Sequence, residues 1–171
     1  MANDKNFKRF KIIKKSLFLP ITCCLIFLNV LCGKAFDYGY TSDGFRYVKH
    51  KHSESSYQHA WCKAHNGIEE YQNEDFTRVD CLTESHAVEF DFSNKWAESV
   101  GQALHYGLMT GKRGMVVLIL ENPSREFVYY SRVKRLAEIY DFDIEYVTPE
   151  ILNIKNGKCP YADCKCRKNK K

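Results

Sequence analysis

From residue 53 onward the hydrophobic pattern switches repeatedly between a helical and a strand period. Tyr57, Ala60, Trp61 and Ala64 recur at i, i+3, i+4 and i+7 behind Ser53, which predicts a capped helix over 53–65 that Asn66-Gly67 closes. Residues 68–71 and 76–82 read as paired strands around a turn at 72–75, and 86–92 as a third strand. Ser93-Asn94 caps a second helix to about 109, with Trp96, Val100, Ala103, Leu104 and Leu108 as its core face. Residues 115–120 (MVVLIL) are apolar throughout, as in a strand covered on both faces. Ser124 caps a helix to about 140 that turns Phe127, Tyr130, Val133, Ala137 and Tyr140 inward. A strand over 144–147 follows, and Thr148-Pro149 opens a short helix.

The order α-β-β-β-α-β-α-β predicts an α/β domain whose mixed sheet is flanked by helices. It occupies 53–155, between a turn-rich, irregular segment at 36–52 and a basic, cysteine-containing tail at 156–171. Residues 1–35 read as a leader. Six Lys and Arg between 5 and 15 precede an uncharged run from Leu17 to Cys32. That run suits the apolar part of a secretory signal, with cleavage after Ala35, or an uncleaved N-terminal membrane anchor. Leu31 speaks against lipid attachment at Cys32, because a small residue is expected there. The chain is therefore expected to be exported, periplasmic or secreted, and to meet a membrane only through an uncleaved leader.

The leader changes the meaning of the charge. The whole chain carries a formal +5, but residues 36–157 hold 13 basic and 19 acidic side chains. The basic total belongs mostly to the two ends and does not indicate a nucleic-acid groove in the core. A polyanion bound there needs a metal ion or a few well-placed cations. Of the eight cysteines, Cys62, Cys81, Cys159, Cys164 and Cys166 lie beyond the leader. Export favours disulfides over a structural zinc site, which lacks a C-x-x-C pair. Cys159 and Cys164 are spaced for a local loop, Cys62 can also reach the tail, and Cys81 reads as a buried small hydrophobe.

The third strand carries the chemistry. Alternation sends Val88, Phe90 and Phe92 to the core and Ala87, Glu89 and Asp91 to the opposite face. On the preceding strand, Val79 and Cys81 share one side, and Arg78 and Asp80 the other. Asp80 and Glu89 can thus meet across neighbouring strands. Converging carboxylates raise each other's pKa unless a divalent cation compensates them. In the next helix Lys95, Gln102 and Tyr106 form one polar stripe, starting just past the acidic strand. The competing reading leaves Glu89 and Asp91 on a wet sheet face and Gln102 and Tyr106 on a plain helix surface. Glu69 and Glu70 read as a solvated strand edge in preference to a further carboxylate supplied from the first strand, and His50, His52, His59 and His65 as surface residues without a metal-ligand pattern.

At these residues the chain resembles the PD-(D/E)xK nuclease superfamily, over about residues 53–147. The family has a restriction-endonuclease-like αβββαβ core, an Asp at the end of the second core strand and Glu-x-Lys on the third. Asp80 and Glu89 match the two acids. Gln102-Ala103-Leu104-His105-Tyr106 matches the Gln-x-x-x-Tyr of the RecB-like and lambda-exonuclease-like branch. Asp91 occupies the lysine position, and Lys95 is the candidate displaced lysine. The resemblance implies Mg²⁺- or Mn²⁺-dependent hydrolysis of nucleic acid, DNA more than RNA. The metal would be held by Asp80, Glu89 and the Phe90 carbonyl, with Asp91 as a further ligand. Lys95 would act on water or phosphate, and Gln102 and Tyr106 would bind the phosphate chain. No small-molecule cofactor is implied. The alternatives are a catalytically degenerate binding protein on the same fold and a small disulfide-stabilised secreted protein.

Overall fold

The computed structural model describes residues 36–154. The leader, the tail and Cys159, Cys164 and Cys166 lie outside the described residues. Among the described residues no helix is long and apolar enough to cross a membrane.

The segment expected to be irregular contains a β-hairpin. Strands β1 (Asp37–Tyr40) and β2 (Arg46–Lys49) pair antiparallel with Tyr38 opposite Val48 and Tyr40 opposite Arg46. Gly44, at φ +83°, completes the turn. Neither strand has a buried residue, so no hydrophobic alternation betrays it. Residues 50–52 are then tied down by Glu121. Its carboxylate accepts the Lys51 and His52 backbone N–H groups at 3.0 and 3.1 Å and the Tyr57 hydroxyl at 2.7 Å.

Helix α1 (Glu54–Ala64) begins where expected, although the Ser53 hydroxyl bonds Ser56 Oγ at 2.9 Å and caps no backbone N–H. Strands β3 (Ile68–Gln72), β4 (Arg78–Leu82) and β5 (His86–Phe92) form an antiparallel meander. A 3₁₀ turn (Ser93–Lys95) leads into α2 (Trp96–Thr110), followed by β6 (Arg113–Ile119), α3 (Pro123–Ala137) and β7 (Phe142–Val147). The expected helix after Thr148 is only a set of hydrogen-bonded turns, which bury Ile154. The fold is α/β, with one mixed five-stranded sheet in the order β3-β4-β5-β6-β7. β5, β6 and β7 run parallel to one another, because α2 and α3 serve as their crossovers.

Both sides of this sheet are covered. Tyr57, Ala60 and Trp61 of α1 pack on Val88, Phe90, Phe92, Val117 and Ile119. On the other side Ala103 of α2 and Val133 of α3 pack on Val116, Leu118 and Phe142.

Both long helices are rotated from the expected facing. On α2 the buried residues are Ser99, Ala103 and Tyr106, whereas Leu108 is 80% exposed and Leu104 is exposed as well. Small residues explain this. A Cβ on Gly114 of β6 would fall against the Ala103 carbonyl, and one on Gly107 would fall 2.9 Å from the Gly114 nitrogen. The helix therefore lies on the sheet backbone along Ser99, Ala103 and Gly107, where leucines would not fit. On α3 the inward residues are Glu126 and Val133, with Tyr130, Leu136 and Ala137 beside them. Phe127 is half exposed, and the helix ends before the exposed Tyr140. Pro123 rather than Ser124 starts it, with Glu126 Oε2 accepting the Asn122 N–H at 3.0 Å.

Cys81 is not a free core thiol. It is disulfide-bonded to Cys62, joining β4 to α1 across a sequence separation of 19. A Cβ on Gly67 would strike both sulfurs, so glycine is required beside the bond. Closing a loop of that length is worth about 3 kcal/mol through the unfolded chain. Cys62→Ala/Cys81→Ala is accordingly expected to lose about that much in urea unfolding, and reductant should lower the wild-type midpoint. A midpoint indifferent to both changes would argue against the bond.

Candidate functional site

Where β4 should continue along β5, it departs. The ladder stops at Cys81 opposite Val88. One position on, Asp80 Oδ2 accepts the Phe90 N–H at 2.8 Å, so a carboxylate takes a backbone donor at the end of the ladder. The Phe90 carbonyl leaves β5 on the same edge as that N–H, as in any extended strand.

The β3–β4 ladder is also interrupted, at the position opposite Asp80, where Glu70 adopts φ +55°. A non-glycine residue in that conformation within a strand is strained. Gln58 Nε2 secures the distortion by donating to Glu70 Oε1 at 3.1 Å and to the Asp80 carbonyl at 2.6 Å. The break alters the expected side-chain alternation. Cys81 faces α1, but Val79 packs with Ala87 and Tyr106 under α2 instead of sharing Cys81's side.

The gap opens into a cavity of about 430 Å³. Asp80, Glu89, Asp91, Lys95, Gln102 and Tyr106 all line it, so every sequence-selected side chain reaches one place. Glu89 and Asp91 are only 5% and 2% exposed, which removes the wet-face reading. Tyr106 is buried as well, and Gln102 Nε2 donates to its hydroxyl at a long 3.4 Å.

Sequence reasoning did not select several residues that line the cavity, Glu54 and Gln58 among them. Glu54 and Gln58, one turn apart on α1, line the cavity from above the strand ends. The only signal was an i, i+4 polar pair on a helix that otherwise buries aromatics, and Glu54 passes for an ordinary first-turn acid. Glu70, expected on a solvated edge, also lines the cavity and pairs with Arg78 at 3.1 Å. The expected surface histidines are placed differently too. His59 is buried, 2.7 Å from Glu69, and His50 stacks on Phe92 with ring centroids 3.3 Å apart.

Burial dominates the electrostatics. Desolvation, then the Asp80 and Asp91 charges, push Glu89 up to about 10. Desolvation also raises Asp80 to about 6 against the opposing Phe90 N–H. Glu54 rises to about 7 through desolvation and the charges of Asp91 and Asp80. Asp91 is raised by burial, which the neighbouring ammonium partly offsets. Lys95 Nζ lies 3.2 Å from Asp91 Oδ1. Desolvation lowers the lysine pKa, but the ion pair outweighs it and the net shift is upward.

The donor set of Glu54, Asp80, Glu89 and Asp91 is acidic and all-oxygen, which suits a hard divalent cation. Asp91 Oδ1 is buried with the Lys95 ammonium as its neighbour, and Gln102 Oε1 is buried at the cavity wall without a hydrogen-bond partner. Among the described residues, however, no three His, Cys, Asp or Glu side chains stand as a ready-made metal site. An ion would have to draw the carboxylates inward. Comparison of the chain with family models, curated proteins and solved structures finds no match.

The raised pKa values set a sign for stability. Between pH 5 and 8 the unfolded chain has released the protons of Glu54, Asp80 and Glu89, whereas the fold still holds part of them. The native state then binds more protons, so stability is highest at the acid end of this window and falls as pH rises. The melting temperature in EDTA is expected to drop from pH 5 to 8, and Glu89→Gln to flatten that slope. A slope unchanged in Glu89→Gln would show that the cluster does not titrate this way.

Proposed function

We propose that the chain is an exported, metal-dependent nuclease of the PD-(D/E)xK type, built on a restriction-endonuclease-like core and hydrolysing phosphodiester bonds of nucleic acid, with DNA the preferred substrate. The observation that carries this reading is the meeting of Asp80, Glu89, Asp91 and Lys95 with Gln102 and Tyr106 in one cavity. The disulfide supports an oxidising compartment and so export.

Asp80, Glu89 and the Phe90 carbonyl would hold Mg²⁺ or Mn²⁺, with Glu54 close enough in the same cavity to assist. The bound ion supplies a water of lowered pKa and stabilises charge on the scissile phosphate. The Phe90 N–H keeps one oxygen of Asp80 engaged and leaves the other for ligation. Asp91 serves chiefly to hold the Lys95 ammonium at the cavity mouth. From there Lys95 orients the attacking water or offsets phosphate charge. Gln102 and Tyr106, on consecutive turns of α2, offer hydrogen bonds to the phosphate chain.

The second reading, a binding protein on the same fold, draws on Asp91 at the lysine position and on the lack of a preformed ligand triad among the described residues. Metal-dependent thermal stabilisation without cleavage is its signature.

Asp80→Asn and Glu89→Gln are expected to stay folded and to lose at least about a hundredfold in Mg²⁺-dependent cleavage. Asp91→Asn should lower kcat by loosening Lys95, with KM little changed. The assay follows labelled DNA and RNA with Mg²⁺, Mn²⁺ or EDTA. Full activity in the Asp80 and Glu89 variants would exclude these acids from the reaction.

A further inference from the structure

The cavity is acidic, so a polyanion reaching it needs cations nearby, and the structure concentrates them on one side of the fold. Residues 36–52 and α3 hold seven of the 12 Lys and Arg between 36 and 154, but only three of the 19 Asp and Glu. Ring contacts lead from Trp96, beside the cavity, through α3 to Phe36, and a further ring–guanidinium pair lies on the hairpin. Trp96 follows Lys95, and the Arg132 guanidinium carbon lies 5.7 Å from the Trp96 ring centre. The same guanidinium lies 5.2 Å over Tyr129, whose ring is 6.0 Å from that of Phe36. Phe36 leads into β1, where Arg46 sits 4.4 Å over Tyr38. Tyr40 follows on the same strand face at 69% exposure.

Alternating rings and guanidinium groups, partly exposed at Trp96, Tyr129 and Phe36 and exposed at Arg132, Arg46, Tyr38 and Tyr40, match what unpaired bases and their phosphates require. Rings and guanidinium planes stack on bases, while the charges neutralise the backbone. A duplex hides its base faces and cannot use the rings. The hairpin rings Tyr38 and Tyr40 are exposed and neither strand has a buried residue, so these rings gain little from folding. Arg125, Tyr129 and Arg132, spaced by four and three, extend the strip along one stripe of α3.

We infer that the strip from Trp96 through Arg132, Tyr129 and Phe36 to Tyr38, Arg46 and Tyr40 is a binding track for single-stranded nucleic acid. It would deliver an unpaired strand to the cavity. The assignment rests on the nucleic-acid reading of the cavity, and it narrows the substrate class to single strands or single-stranded ends.

The test is fluorescence anisotropy of the full chain in EDTA, where cleavage is blocked, with a labelled mixed-sequence single-stranded DNA and the duplex of the same sequence. The single strand should bind tighter than the duplex. Arg132→Gln and Tyr40→Ala, both at exposed positions, should each weaken it by about tenfold. Arg132→Gln should also reduce the salt slope by about 0.7. Asp80→Asn should keep the preference for single strand over duplex while losing cleavage. Circular dichroism and melting temperature confirm that the variants are folded, and either variant alone suffices. Equal affinity for single strand and duplex, no binding at all, or variants that bind like wild type would each overturn the track. Binding that responds to the strip variants, in a chain that never cleaves, would keep the track and remove the hydrolase. Cleavage with strip variants that bind normally would do the reverse.

Discussion

The contact between the Asp80 carboxylate and the Phe90 N–H is the hinge of this structure. At the end of a ladder a backbone donor usually finds another strand or water. Here it finds a side chain whose charge it offsets. That substitution stops β4 from pairing further along β5, and the space left between the strands is the cavity. The same contact holds one acid against a second, Glu89, and a third, Asp91, follows two residues on. Burying acids in such proximity is unfavourable unless protons, cations or donors compensate. Lys95, Gln58 and the retained protons do part of this, and the shifted pKa values of Glu54, Asp80 and Glu89 record how much is left over.

The surrounding fold keeps the gap from closing. On one side the disulfide fixes α1 to β4, one residue from Asp80, so Gln58 is held over the strand break and Glu54 at its mouth. On the other side the small residues of α2 let its backbone approach Gly114. This close approach turns Gln102 and Tyr106 toward the cavity and leaves Leu104 and Leu108 outside. The strained conformation of Glu70 belongs to the same arrangement, because it sits opposite Asp80 and shares the Gln58 amide. Strain at one residue, a cross-link and a close helix contact thus all act on a few ångströms of sheet edge.

Charge is divided in a way that fits this geometry. Acids line the cavity and much of the meander, whereas the hairpin and α3 carry half of the described basic groups, with Arg46 and Arg132 set over rings. A negatively charged chain would be attracted along the second surface and repelled from the first until a cation is present. Binding and hydrolysis would then answer to different residues.

Local patterning was enough to place most of the domain. The strand 86–92 has the predicted bounds because its alternation is a property of extended backbone alone, and the same rule put Val88, Phe90 and Phe92 in the core. The likeness of Asp80, Glu89, Gln102 and Tyr106 to one site was also legible, since adjacent strands and a following helix bring near neighbours in sequence together. The Cys62–Cys81 bond, the entry of Glu54 and Glu70 into the cavity and the rotation of α2 were not. Each depends on how close two elements lie, and packing distance is set by residues far apart in the chain, such as Ala103 and Gly114. The hairpin at 37–49 was hidden for the opposite reason. With no face to bury, its residues carry no alternation, and only the tie from Glu121 and the contacts along α3 give it a place.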